Sequence, residues 1–392
     1  MPRYKEPYTL YHVKTKKKGK VWYYRTYDKN GRRTSGRCTG QTSKTLARRY
    51  CDQLMMAREL IPQPKSPTLA EWTKARHWWV WGKCIYIKGR LARSEAERPG
   101  ISRRYTDEAV RILKQHILPA HGKKRLDAIL PEDCEKLLFS WTKKGASYKS
   151  ANNWASIYRV MLAEAARLKL IEENPWTRVL SLTPSSRHRG MLTMAEARQL
   201  LNPATHEKVW DGHHLYYCIN LVAALTAMRQ GEVLALRRED VFPDHFHVSH
   251  SWSIKYELGK TKTKVVADIP IPAFLYREIV RYLEWDGYVF SFNGGERPAT
   301  GGKVTEWLYR AMRNVGIQDE ERIARNLTFH SWRHFFNTYL RSRGVPDSKI
   351  KAVTRHATQE MTEHYTGFRL EDYQEVYDAQ DGFGELIKAE TI

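Results

Sequence analysis

Two stretches that neither a helix nor a strand can cross divide this chain. Ile61-Pro62-Gln63-Pro64-Lys65-Ser66-Pro67 carries three prolines in six residues. Each of them removes a backbone donor and fixes its own φ, so the segment reads as a linker. Asn174-Pro175 to Gly190 marks a second boundary, with Thr183-Pro184-Ser185-Ser186-Arg187 as an extended basic connection. A chain of 392 residues exceeds what one core usually organises. The expectation is therefore three domains, 1–62, 63–185 and 186–392. No internal repeat or low-complexity tract complicates that division.

The first segment is the most unusual in charge. Residues 1–62 hold 16 Lys/Arg against 4 Asp/Glu, about half of the whole chain's formal net charge of +23. An excess of that size attracts polyanions, nucleic acid foremost, and its asymmetry points to a separate basic module. Within it, Tyr8, Leu10 and His12 alternate, Val21–Tyr27 is aromatic and extended, and Asp28-Lys29-Asn30-Gly31 is a hairpin turn. Thr42 or Ser43 then starts a helix running to about Leu60. The expected unit is a three-stranded sheet backed by one helix, either a groove reader or an accessory that only solubilises the chain.

No run of 18 apolar residues exists, and the longest, near Leu221–Leu225, is far too short to span a bilayer. The N-terminus, Met1-Pro2-Arg3-Tyr4-Lys5, has no apolar signal core, so a cytoplasmic protein without membrane contact is expected. Five cysteines (Cys38, Cys51, Cys84, Cys134, Cys218) are scattered without a CxxC pair. That argues against a disulfide framework and a zinc site and for ordinary buried or half-buried thiols.

Residues 68–182 read as mostly helical, with amphipathic stretches at Leu69–Tyr86, Ser102–Ile117, Pro131–Lys143 and Ser150–Leu168. Trp78-Trp79-Val80-Trp81 suits a core better than a base-stacking platform. From Leu192 the pattern is mixed. Helices are expected at Met194–Leu201, Leu215–Ala227, Thr305–Val315 and Ser331–Arg343, and strands at Asp244–His250 and Val265–Ile269.

Three short motifs in this last part carry chemistry. In Thr226-Ala227-Met228-Arg229-Gln230-Gly231-Glu232-Val233 an apolar helix ends and Arg229 opens the next, expected over Glu232–Leu236. A helix N-terminus with an arginine suits a phosphate, and Glu232 is placed to hold that guanidinium. In Phe329-His330-Ser331-Trp332-Arg333-His334, His330 and Arg333 fall on one helix face, an acid/base group beside a cation that can grip phosphate with two bonds. In Arg355-His356-Ala357 through Thr362-Glu363-His364-Tyr365, a tyrosine hydroxyl could exchange one phosphodiester for an ester of similar energy without ATP. Two arginines would then stabilise the equatorial oxygens, as metals do elsewhere.

Taken in order, these motifs resemble the tyrosine recombinase (phage integrase) family. Arg229 with Glu232 matches its first arginine box and His330-x-x-Arg333 its second. The spacing of nine from His356 to Tyr365 matches its nucleophile. The family's hairpin lysine falls in Gly259-Lys260-Thr261-Lys262-Thr263-Lys264, where Lys262 fits best and Lys260 second. Two positions depart from the pattern: Ala227 and Arg355 stand where glycine is usual. The resemblance covers nearly all of 190–367. It implies a helical core-binding domain, seen in Ser150-Ala151-Asn152-Asn153 through Asn174-Pro175, and an arm-type DNA-binding domain over 1–62.

By resemblance, then, the catalytic residues are Arg229, Lys262, His330, Arg333, His356 and Tyr365, with no cofactor and no metal. The fold is multidomain: a three-stranded β-sheet plus helix, an all-α core-binding domain, and a mixed, mainly-α catalytic domain with a small β-sheet. The partners are double-stranded DNA at core and arm-type sites, three further copies in a homotetramer, and a helper such as an excisionase or a DNA-bending host factor. The activity is site-specific recombination that integrates or excises a mobile element. The alternatives are a type IB topoisomerase and a catalytically silent DNA-binding protein on the same scaffold. In the tail, Leu370, Tyr373, Val376 and Tyr377 form one apolar stripe, Gly382 and Gly384 suggest a flexible break, and Phe383, Leu386 and Ile387 a second patch. Such a tail either docks on a neighbouring protomer, as is common in the family, or folds back on its own domain.

Overall fold

The computed structural model describes residues 6–15, 19–27, 32–57, 60, 66–93, 101–184, 190–261, 265–355 and 369–388. The chain divides into two compact units, Met1–Ser185 and Ser186–Ile392.

The first unit begins with an antiparallel sheet, β1 (Tyr8–Thr15), β2 (Gly19–Thr26) and β3 (Arg37–Cys38). β1 and β2 run in register from Tyr8 opposite Thr26 to Thr15 opposite Gly19. Alternation puts Tyr8 and Tyr24 on one face, where they meet Cys51 and Leu60. The helix Lys44–Met56 closes that face, and the Tyr8 hydroxyl donates to Asp52 Oδ1 at 2.5 Å. The helix ends short of the expected Leu60, and Cys38 is an exposed thiol rather than a buried one.

The helical body of this unit is held by large rings: Trp72, Trp78, Trp79, Trp141, Tyr158 and Trp176 are all in its core. The expected single stretch Leu69–Tyr86 is two helices, Leu69–Arg76 and Ile85–Arg93. His77 and Trp79 between them have positive φ, which turns the chain so that Trp78 and Trp79 enter the core while Trp81 stays 38% exposed. The stretch after Ser102 changes at Leu113–Ile117 into a π-turn. Pro119 follows, and its missing N–H and bulky ring disrupt the i→i−4 ladder there. The second boundary also starts later than the composition suggests. Trp176 is fully buried, Asn174 Nδ2 donates to the Arg159 carbonyl, and Asn152 exchanges two hydrogen bonds with the Leu182 backbone. Residues 174–182 are thus docked, because an indole that size outweighs the local turn signal.

The second unit is built around His214–Thr226, a helix buried on all sides from Leu215 to Thr226. Against it pack Ser331–Ser342, Gly301–Asn314 and Ala273–Ile279. Trp332 Nε1 donates to Asn220 Oδ1 at 2.9 Å inside this core. Four short strands follow, β4 (His245–Val248), β5 (His250–Ser253), β6 (Glu257–Lys260) and β7 (Ala267–Pro270). β4 pairs with β7 and β5 with β6, all antiparallel.

In the tail a 3-10 turn, Leu370–Tyr373, leads into the helix Gln374–Lys388, unbroken at Gly382 and Gly384. Gly384 is there for contact: a Cβ on it would lie 2.3 Å from the Phe274 ring. Phe383 packs on Phe335 and Tyr339, Gln380 Nε2 donates to the Leu225 and Pro270 carbonyls, and Arg198 Nε donates to the Leu386 carbonyl. The tail lies on its own domain. Among the described residues no helix is long and apolar enough to cross a membrane.

Candidate active site

Two tight turns meet here. The first ends the helix His214–Thr226 and carries Arg229; the second ends the helix Asp347–Thr354 and carries Arg355. Both turns use left-handed backbone without glycine: Ala227 has φ 53° and Arg355 φ 50°. The two departures from the family pattern therefore keep the glycine conformation and bear its steric cost.

Arg229 caps a helix of only four residues, Gln230–Val233, shorter than the expected Glu232–Leu236. Its backbone N–H donates to Glu232 Oε2 and its Nη1 to Glu232 Oε1, each at 2.8 Å. Arg355 Nη2 donates to the same Oε2 at 2.5 Å. One carboxylate, 1% exposed, thus faces two guanidiniums. Burial pushes the Glu232 carboxyl up, but Arg355, Arg229 and the Arg229 N–H outweigh burial and hold it below the usual carboxylate range.

Arg333 sits on the helix Ser331–Ser342, 2% exposed. Its Nη1 donates to the Ala227 carbonyl at 2.8 Å and its Nη2 to the Thr354 carbonyl. The second arginine thereby ties both turns together. Burial first, then the charge of Arg229, pulls its pKa down to about 9, against the opposing pull of Glu232, so it remains a cation at neutral pH. His330 is the half-buried N-cap residue of this helix, its ring 5.0 Å from that of His334.

Of the expected site residues, the structure gathers Arg229 and Arg333 at the paired turns and puts His330 one turn before Arg333. Lys262, His356 and Tyr365 lie outside the described residues. Lys260, the second lysine candidate, is exposed at the end of β6. Among the described residues β6 pairs back with β5 and β7 with β4 on either side of the lysine-bearing stretch. Thr261 Oγ1 donates to the Val265 carbonyl at 3.2 Å. Tyr373 and Tyr377 pack the tail: Tyr373 is 6% exposed and Tyr377 donates to the Asp244 carbonyl.

Sequence reasoning missed Gly231. A Cβ there would lie 2.6 Å from Ser251 Oγ and 2.7 Å from the Trp252 carbonyl, so only glycine lets β5 approach the Arg229 turn this closely. A glycine inside a predicted helix start was the available signal. The Arg355–Glu232 pair was equally hidden, visible only as a missing glycine.

Residues 191–370 match the model of the phage integrase family. An integrase of Streptomyces ambofaciens is 24% identical over 371 residues, covering 86% of each chain. The fold is similar to that of the Tn1549 transposon integrase solved with circular intermediate DNA, at TM-score 0.56 and 20% identity over 76% of this chain and 98% of that one. It is similar also to lambda integrase, solved as a tetramer on a Holliday junction, at TM-score 0.56 and 17% identity over 88% and 95%. This is an enzyme that breaks and rejoins DNA strands. Residues 191–370 thus form a domain of the phage integrase family.

Proposed function

We propose that the enzyme integrates or excises a mobile element by transesterification at Tyr365. The tyrosine hydroxyl attacks the scissile phosphate and joins its 3′ phosphate, and the 5′ oxygen leaves as a hydroxyl. Attack by a 5′ hydroxyl on the phosphotyrosine then reseals the strand and frees the tyrosine, with no net change in bond type. Arg229 and Arg333 hold the nonbridging oxygens with His356, Lys262 protonates the leaving 5′ oxygen, and His330 assists proton transfer near the tyrosine.

The observation that carries this reading is the double grip of Arg333 on the Ala227 and Thr354 carbonyls. It ties the turn that carries Arg229 to the turn after which His356 and Tyr365 follow in the chain. The experiment is Tyr365→Phe on a nicked suicide duplex cut from the DNA flanking the gene, where an integrase's attachment site is expected. The variant should bind that duplex and form no covalent protein–DNA species on denaturing gels. A band of undiminished intensity would move the nucleophile to another residue.

The remaining parts fit the same reading. Residues 1–62 serve as an arm-type DNA-binding domain. On the sheet face away from the helix, Tyr11 and Tyr23 lie 5.8 Å apart and Arg25 sits 4.9 Å over Tyr11, an aromatic and cationic surface suited to nucleic acid. Residues 63–185 act as the core-binding domain. Strand exchange between two duplexes requires four tyrosines, so the active form is a homotetramer on DNA, with an excisionase or a DNA-bending host factor as helper.

A further inference from the structure

Arg355 has no task in the chemistry above, yet it is 4% exposed and carries a full charge. Its backbone, at φ 50° and ψ 48°, is one where glycine would sit without strain. The chain keeps an arginine there against both backbone sterics and desolvation. Its Nη2 is spent on Glu232, while its Nε and Nη1 have no hydrogen-bond partner among the described residues. Two guanidinium nitrogens buried without a described partner count against a role in stability alone.

The other arrangement around it is specific. Glu232 gives Oε1 to Arg229 Nη1 and Oε2 to both the Arg229 N–H and Arg355 Nη2. The side-chain tie from Arg355 to Glu232 runs between the same two turns that Arg333 joins through their carbonyls. Without Arg355 the link at Glu232 is gone, while the bonds of Arg333 to both turns remain. Among the described residues Arg229, Arg333 and Arg355 all act on the Glu232 carboxylate, a gathering of cations that suits a phosphodiester.

We infer that Arg355 is a positioning residue for strand cleavage. Through Glu232 it aims the Arg229 guanidinium and anchors to it the turn from which the segment of His356 and Tyr365 departs. The inference rests on the functional reading above.

The test is the single-turnover rate of covalent complex formation on the flanking-DNA suicide duplex at saturating concentration, with duplex affinity measured separately. Arg355→Gly relieves the backbone and removes only the guanidinium, so a mere turn residue would tolerate it. The expected result is an unchanged affinity with cleavage slowed about 10- to 100-fold, and partial recovery in Arg355→Lys, which can still meet Glu232. In Arg355→Gly the acid limb of the pH–rate profile should also move to higher pH. Glu232 then keeps Arg229 and Arg333 as the cations facing it but loses the third. Wild-type cleavage rate in Arg355→Gly would overturn the inference. Should that variant not fold, Arg355→Lys is compared with Arg355→Met: a faster Lys variant supports the inference and equal rates overturn it. Failure of the wild-type chain to form any covalent species on the flanking duplexes would count against the functional reading itself.

Discussion

Ala227 bears left-handed backbone with a Cβ and no side-chain function of its own; what the site uses is its carbonyl, which receives Arg333. Ala227→Gly should therefore stabilise the catalytic unit by about 1 kcal/mol, offset in part by the freer unfolded chain. Urea unfolding checks it. Glu232 is the opposite case. Glu232→Ala strands the fully buried Arg355 without its counter-ion, and the expected loss is about 3–5 kcal/mol, read by the same measurement. In the first unit, His121 Nδ1 lies 3.2 Å from the Tyr158 hydroxyl, and burial, with Lys124 nearby, pulls its pKa from 6.5 down to about 4. The folded chain thus refuses a proton that the unfolded chain takes up. Stability should fall as pH drops from 6.5 towards 4 and level off below, on the order of 2–3 kcal/mol in all. Unfolding followed by tryptophan fluorescence at pH 7 and 4.5 would show that slope, and His121→Gln should flatten it.

At the scale of elements, two glycines set distances rather than turns. A methyl at Gly231 would collide with the β5 backbone at Trp252, and the rigid answer is to push the β5–β6 ladder away from Arg229. Because β6 leads into Lys262, Gly231→Ala should slow covalent complex formation about tenfold or more while DNA affinity holds. An unchanged rate would show that the hairpin adjusts freely. Gly384 plays the same part for the tail helix against Phe274. Removing everything after Asp381 takes away Phe383, which is wholly buried between Phe335 and Tyr339. That truncation should lower the melting temperature of the catalytic unit even with no DNA and no second copy present. A tail that mattered only for assembly would leave the melting temperature unchanged.

For the whole molecule the governing quantity is the charge of +23, concentrated at the N-terminal end. Deleting residues 1–62 should weaken recombination and flatten the salt dependence of DNA binding, while the remaining chain still forms the covalent species on a short core duplex. An isolated 1–62 fragment with no salt-dependent DNA affinity would remove the arm-binding proposal. Cleavage should also proceed in EDTA, since side-chain cations can carry the phosphate charge. Activity stopped by EDTA and restored by magnesium would refute that chemistry.

What the sequence by itself determined is the set of local features: the helices Met194–Leu201 and Pro131–Lys143, the three-stranded N-terminal sheet, and the order and spacing of the arginine, histidine and tyrosine motifs. Periodicity and turn chemistry act over a few residues, so they read directly from the chain. Tertiary structure decided the rest. Composition marked Asn174-Pro175 as linker, but Trp176 had a core to enter. Gly382 and Gly384 looked like a break, but Phe274 required one of them inside a helix. Arg355 stood out only as a glycine that was absent, and its partner Glu232 lies 123 residues away. Such pairings depend on which turns the fold brings together, and that information is carried by long-range packing rather than by any local pattern.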